Sequence, residues 1–375
     1  MTNNFEEWRR RSAIPAWLAV VVGCAALLAL VAAAQPARAP GRLYFIVKDD
    51  KWGYIDETGR LVVAPQFDDA GEFREGRARV SVQGKPRYID TAGRFINTPP
   101  FDVGGDFAEG LAPVNTGQQR IPSIGIISNP GRWGYINQTG ALVIPMTFQL
   151  ADEFHEGLAA AHQGHISGFI DHTGRFRITA PFDVSWGFCE GVVLVKSNLK
   201  MIYYDHDGQR LATPPLDDNY YGHSFHEGLA AVQIRDKWGF MDKTGRLVIP
   251  ATFIDVGDFS EGLAAAEVPI DQSKETPCKL DETSSYTVAK KFGYIDRTGK
   301  LVIPPQWEYA GPFVAGLANV GACDKASFID QTGRVRINTG FNDASPFAGA
   351  LARVHLGSMI GYIDKTGKVV WEPSK

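Results

Sequence analysis

Lys51-Trp52-Gly53-Tyr54-Ile55-Asp56-Glu57-Thr58-Gly59, followed by Leu61-Val62-Val63, is the stretch that decides the fold. Two short β-prone runs flank a turn, and no helical stretch free of Gly and Pro is available. Asp in the turn accepts local backbone N–H bonds, and a Gly three residues later takes a left-handed conformation without a Cβ penalty. Alternation along the entering strand sends Trp52, Tyr54 and Asp56 one way and Gly53 and Ile55 the other. Both faces carry apolar groups, so both need cover that a single hairpin cannot give.

The cover comes from repetition. The acidic turn position recurs at Asp56, Asp90, Asn137, Asp171, Asp205, Asp242, Asp296, Asp330 and Asp364, with Asn standing in once. Successive spacings are 34, 47, 34, 34, 37, 54, 34 and 34 residues, a period of 34 interrupted by additions of 13, 3 and 20. A second landmark, Phe73, Phe107, Phe154, Phe188, Phe225, Phe259, Phe313 and Phe347, follows the acid by 17 residues, or 20 for Phe225. The frame places both long insertions, about 115–131 and 269–287, at the same point of the unit. Gly closes every turn, at Gly59, Gly93, Gly140, Gly174, Gly208, Gly245, Gly299, Gly333 and Gly367. An aromatic ring stands two residues before each acid: Tyr54, Tyr88, Tyr135, Phe169, Tyr203, Phe240, Tyr294, Phe328 and Tyr362.

A period of 34 invites a helix-pair repeat, which the local pattern rejects. Each unit supplies about three short antiparallel strands. One is Leu158-Ala159-Ala160-Ala161 and its equivalents, and Pro65, Pro145, Pro250 and Pro304 stop ladder extension after the Leu-Val-Ile run. The expected fold is all-β: nine units in an elongated or spiral solenoid, with a closed propeller-like ring as the alternative. The solenoid is preferred because propellers have about four to eight blades of four strands. Arg77 and Arg79 near the start, and Ala350 in place of Gly at the last unit boundary, then read as caps of an open stack.

The phrase KWGYID…TG…LVIP…F…EGLA resembles the WG, or KWG, repeat of bacterial proteins over essentially everything from Leu43 onward. Lys51-Trp52-Gly53, Arg132-Trp133-Gly134 and Lys237-Trp238-Gly239 carry the name-giving residues, and Lys291-Phe292-Gly293 keeps all but the Trp. Units two, five and eight depart, with Arg87, Ile202 and Ser327 at the Gly position. The resemblance implies a β-rich envelope or surface array with a binding or scaffolding role, and it brings no catalytic residues.

Ahead of the repeats, residues 1–13 read as a cytoplasmic n-region. Ile14 to Ala34 is uncharged and long enough to cross a bilayer as a helix. Arg9, Arg10 and Arg11 just before it place the N-terminus inside and the repeats outside. The length favours an inner-membrane anchor with the repeats in the periplasm or outside the cell; secretion after cleavage near Ala34 is the alternative. Gln35 to Arg42 is a Pro-rich tether. A formal net charge of −4 removes the electrostatic footprint of a nucleic-acid binder.

No catalytic constellation and no cofactor motif emerge. Tyr-Ile-Asp-x-Thr-Gly superficially matches an aspartic-protease motif, but it is a repeated hairpin, and that chemistry needs two carboxylates sharing a proton. Glu75, Glu109, Glu156, Glu190, Glu227 and Glu261 precede Gly at one repeat position and read as solvated turn acids. His172, His206 and Asp207 are weak metal candidates, with exposed turn imidazoles the simpler reading. His155 and His226 read as surface residues. Cys278 in the second insertion and Cys323 in the matching loop of the next unit are disulfide candidates, leaving Cys189 unpaired in the exported part. Trp133 and Trp186 suit sugar stacking only where exposed. The expectation is a non-catalytic envelope binder or scaffold for a protein or polysaccharide, with an envelope hydrolase built from the insertions as the alternative. Its ligand-binding residues and oligomeric state are not legible.

Overall fold

The structure, a computed structural model, describes residues 41–375 apart from 121–126, 217–221, 272–277, 280–284, 287–289 and 324. The expected n-region and apolar segment, and the tether as far as residue 40, lie outside the described residues. No helix among the described residues is long and apolar enough to cross a membrane.

Each repeat forms its own antiparallel sheet of three or four strands, nine in all. A further two-stranded ladder, Cys278–Lys279 with Ser285–Tyr286, belongs to the second insertion. The fourth sheet shows the full plan: Leu150–Ala151, Ala159–Gln163, Ile166–Ile170 and Phe176–Thr179, paired in chain order. The two-residue first strand is continuous in chain with the fourth strand of the preceding sheet, as where Leu142–Phe148 runs through Gln149 into Leu150–Ala151. Strands two and three carry the core, whereas the fourth strand exposes its leading residues, such as Leu142 and Val143.

The Gly of the Trp-Gly phrase has a packing cause. A Cβ on Gly53 would lie 2.6 Å from the Val63 carbonyl oxygen of the bulged fourth strand. In the second and fifth sheets, which carry Arg87 and Ile202 instead, the fourth strand shrinks to a single bridge, Ile89 with Phe95 and Tyr204 with Arg210.

The array is not an open solenoid. It closes into a nine-bladed β-propeller, and ring contacts and turn-glycine contacts like those joining one blade to the next also join blade nine to blade one. The first eight repeat-position rings each meet the landmark Phe of the following blade, from Tyr54–Phe73 at 4.7 Å between centroids to Phe328–Phe347 at 4.7 Å. Tyr362 of the last blade meets Tyr44 of the first at 5.5 Å, edge to face. The turn glycines sit against the fourth strand of the preceding blade: Gly174 on Ile144, Gly367 on Ile337 and, across the seam, Gly59 on Val370.

The seam also shows how closure works where blade one has no described first strand. In blade two, the carbonyls of Arg79 and Ser81 accept from Gly71 N and Asp68 N at the short-strand edge. Their blade-one equivalents, Phe45 and Val47, accept instead from the Tyr362 hydroxyl at 2.8 Å and the Ser374 hydroxyl. The cap reading of the terminal units falls with the solenoid. Arg77 donates to the Gln138 carbonyl at 3.1 Å, Arg79 lies 3.9 Å from Asp69, and Ala350 N donates to the Tyr44 hydroxyl at 3.1 Å. Nine closing blades of three or four strands stand outside the commoner range on which the solenoid preference rested.

Candidate binding surfaces

The ring has two chemically different ends. At one lie the Asp-x-x-Gly turns between strands three and four, together with the Phe-x-Glu-Gly turns between strands one and two. In the Asp turns one carboxylate oxygen gathers several donors. Asp56 Oδ1 accepts from Thr58 N at 3.0 Å, Thr58 Oγ1 at 2.6 Å and Arg60 N at 3.1 Å. The Thr58 hydroxyl bond, with Arg60 and the backbone donors, outweighs partial burial and lowers Asp56 from 3.8 to about 2. The same turn repeats at Asp171, Asp242, Asp296, Asp330 and Asp364.

The six glutamates expected to be solvated turn acids are inter-blade latches. Each sits at positive φ, between 49° and 54°. Each carboxylate accepts a backbone N–H from the equivalent turn of the next blade: Glu75 from Gly110 at 2.8 Å, Glu156 from Gly191 at 2.8 Å and Glu190 from Gly228 at 2.8 Å. Glu109, Glu227 and Glu261 do the same with Gly157, Gly262 and Gly316. A second donor comes from the residue after the turn Asp or Asn of that next blade. It is Gln138 for Glu75, His172 for Glu109, His206 for Glu156, Lys243 for Glu190, Arg297 for Glu227 and Gln331 for Glu261. Burial opposes ionisation at Glu156 and Glu190, but these bonds outweigh it and hold both carboxyls below their ordinary value.

The structure therefore gives His172 and His206 separate partners. His172 lies 3.0 Å from Glu109 and stacks on Phe154, while His206 lies 3.2 Å from Glu156 against Phe188. Asp207 N bonds its own turn acid Asp205 at 3.0 Å. No group of three metal-ligating side chains is assembled among the described residues. A different histidine pair converges: His223 Nδ1 is 2.6 Å and His226 Nε2 3.5 Å from the Asp258 carboxylate, beside a cavity of about 420 Å³. The sequence alone marks His226 as a plain surface residue. The signal that would have found the pair is the Asp one residue before the next landmark Phe, the position through which Glu72 and Asp106 pair with Arg42 and Arg74 of preceding blades. Ser260, which also borders the cavity, is committed to the Phe313 carbonyl at 2.6 Å.

Cys189 is free, and its thiol donates to the Phe225 carbonyl at 3.0 Å. Burial, with Glu190, Glu156 and Asp258 nearby, pushes that thiol up, away from nucleophile activation. Cys323 is disulfide-bonded. Trp133 and Trp186 are half-buried and pack against core clusters.

At the opposite end lie the hairpins between strands two and three. In seven blades these are tight, and a polar side chain just before the first strand clips several of them: Asp68 accepts from Gly84 N, Asp183 from Asn198 N and Asn342 from Gly357 N. Both insertions prolong this same hairpin. In blade three the ladder continues to Arg120 opposite Ile127, and in blade seven it runs to Pro269 opposite Lys290 before the Cys278–Tyr286 pairing.

Comparison with known proteins fits this geometry. The model of the WG containing repeat matches residues 52–85, 87–118, 133–164, 220–238, 238–268, 292–320 and 327–358, more than half of the chain. The chain belongs to the WG-repeat family. No curated protein sequence matches it. Among solved structures, the WG-repeat ring is similar to a eukaryotic initiation factor, with a TM-score of 0.60 at 12% identity, covering 90% of this chain and 98% of that one. That likeness shows the propeller fold alone. AztD from Citrobacter koseri also matches, with a TM-score of 0.40 at 13% identity over 89% of this chain and 93% of that one.

Proposed function

We propose that this WG-repeat ring is a binding or scaffold protein of the cell envelope that presents its hairpin end to a protein or polysaccharide ligand. One observation carries the reading: both long insertions extend the same hairpin of the blade, so both project from one end of the ring. At the other end the glutamates and their donors are occupied in holding blades together, which leaves the hairpin end as the variable surface. Residues 14–34 would hold the ring at the inner membrane, with 35–42 as tether. A Cys278–Cys323 bridge would tie the blade-seven insertion to the neighbouring hairpin of blade eight, consistent with an oxidising compartment. A hydrolase site built in the insertions draws no support from the His223–Asp258–His226 group, which belongs to the turn end.

The test is a pull-down from envelope extract with the full chain and with a version whose two insertions are replaced by tight turns, each captured partner then being purified and titrated directly. Loss of direct binding in the shortened chain is expected. Equal binding by both versions would refute the assignment to the hairpin end.

A further inference from the structure

We propose that the seam between blades nine and one holds a binding site for a small carboxylate with an apolar body, separate from the hairpin end. The seam carries a cavity of about 270 Å³, lined by Leu43, Phe45, Phe347, Leu351 and Arg353. That volume falls below the ~300–1,000 Å³ of sites for drug-sized ligands, which fits a ligand the size of phenylacetate.

Arg353 is the recognising group. It stands at the register position opposite the repeat ring, where six other blades carry Pro113, Ala160, Leu194, Ala231, Ala265 and Asn319. Blade two alone shares an arginine there, and Arg79 lies 3.9 Å from Asp69 of its own sheet. The matching acid of blade nine, Asp343, is turned instead to His355 at 3.4 Å. Arg353 therefore lines the cavity with no carboxylate paired to it, Glu72 being held by Arg42. Its Nε is buried without a hydrogen-bond partner, and its Nη2 is held only by the Ser345 hydroxyl at 3.5 Å.

A guanidinium binds a carboxylate through a fork of two parallel bonds, and with its Nε buried and unpaired Arg353 has donor capacity that the protein leaves unused. One face of that guanidinium is already fixed by the Phe45 ring, 5.1 Å from Cζ, so little ordering remains to be done on binding. Charge in the cavity favours an anion: two arginines, Arg42 and Arg353, stand against Glu72, which Arg42 neutralises at 2.9 Å. The apolar walls disfavour a bare oxyanion, whose hydration they would strip without return. The ligand would touch Phe45 of blade one and Arg353 and Phe347 of blade nine at once, so occupancy stabilises the closed ring.

The test titrates the full chain with phenylacetate, with phenethylamine as the cation of similar body, and with inorganic phosphate, reading heat of binding and melting temperature. Phenylacetate is expected to saturate and to raise the melting temperature, and the other two to do neither. Arg353→Gln should weaken phenylacetate at least about ten-fold and Arg353→Lys by an intermediate factor, because Lys cannot form the fork. Arg79→Gln, at the same register outside the cavity, should leave it unchanged. Ser345→Leu fills the cavity and removes the hydroxyl anchor of Nη2 while keeping the guanidinium charge, and should abolish binding, which keeps the test decisive if Arg353→Gln misfolds. Absence of saturation, equal binding of phenethylamine, or unchanged affinity in both Arg353→Lys and Ser345→Leu would overturn the proposal.

Discussion

Removing one oxygen atom at the seam separates a closed ring from an open array. In Tyr362→Phe the edge-to-face contact with Tyr44 survives, but the hydroxyl bond to the Phe45 carbonyl is lost. Phe45 is 9% exposed, so water cannot readily replace the donor. Leaving a buried acceptor unpaired costs about 1–3 kcal/mol. Tyr294→Phe is the matched reference: its hydroxyl donates at 2.8 Å to the Gly311 carbonyl between blades seven and eight, also in buried surroundings. In a closed ring the two seams are mechanically alike, so both variants should lower global stability by similar amounts. In an open array Tyr362 would sit on a terminal unit, and its loss would fray one end without moving the main transition. Urea unfolding followed by tryptophan fluorescence gives the global change, and amide exchange in Tyr44–Lys48 gives the local one. A Tyr362→Phe chain that unfolds at the wild-type urea midpoint, beside a destabilised Tyr294→Phe, would refute closure.

Three further outcomes follow from the same contacts. Gly174→Ala meets both a left-handed φ of +79° and a Cβ 2.8 Å from Ile144, whereas Gly110→Ala meets φ +83° with nothing within 4 Å. The latter should cost about 1–2 kcal/mol for conformation alone and the former measurably more by urea denaturation; equal costs would remove the packing role of the turn Gly. The turn acids and latch glutamates predict acid lability. Asp56, Asp171, Asp242, Asp296, Asp330, Asp364, Glu156 and Glu190 all have folded values depressed below the ordinary carboxylate range. Their stabilisation is complete above that range and is lost as pH falls through the depressed values, for Asp56 near 2. Melting temperature should therefore fall steadily from about pH 5 downward, with a shallower slope in Asp56→Asn. Finally, peptide mapping under non-reducing conditions should recover Cys323 linked to Cys278; a Cys323 peptide of unmodified mass would exclude the bridge.

The repeat itself was plain in the sequence because its cause is local. The turn Asp, the turn Gly and the alternating strand each act within a few residues, so their spacing gives the unit, its strands and the shared site of the insertions. Closure was not legible, because it depends on residues that look ordinary where they stand. Tyr44 occupies the role of a landmark Phe without its phrase, and Ser374 is a C-terminal polar residue until Val47 is placed beside it. The role of the glutamates is hidden for a related reason. A carboxylate before Gly looks solvated in one unit, and its partners belong to the next blade, 35 residues on at Gly110 or 63 on at Gln138. The histidines near Asp258 are not legible as a group in the sequence because the pairing joins residues of one blade's turn to a pre-Phe acid of the following one.

The latches also explain why the seam differs from the other junctions. They run without a break from Glu75 in blade two to Gly316 in blade eight. Ala315 and Gly349 then stand at the glutamate position of blades eight and nine, and both keep its positive φ, so the backbone of the turn persists while the carboxylate is gone. Across the seam the missing acceptor is supplied from the other side of the ring: the Tyr44 hydroxyl accepts from Ala350 N and donates to the Ala348 carbonyl at 2.7 Å. A hydroxyl can both accept and donate, which a carboxylate cannot, so one Tyr satisfies two backbone groups of the last turn where a latch glutamate satisfies one or two donors. These hydrogen bonds of the join are therefore made by neutral side chains of the first and last blades, and this leaves Arg353, packed on Phe45, as the cation of the seam without a carboxylate of its own.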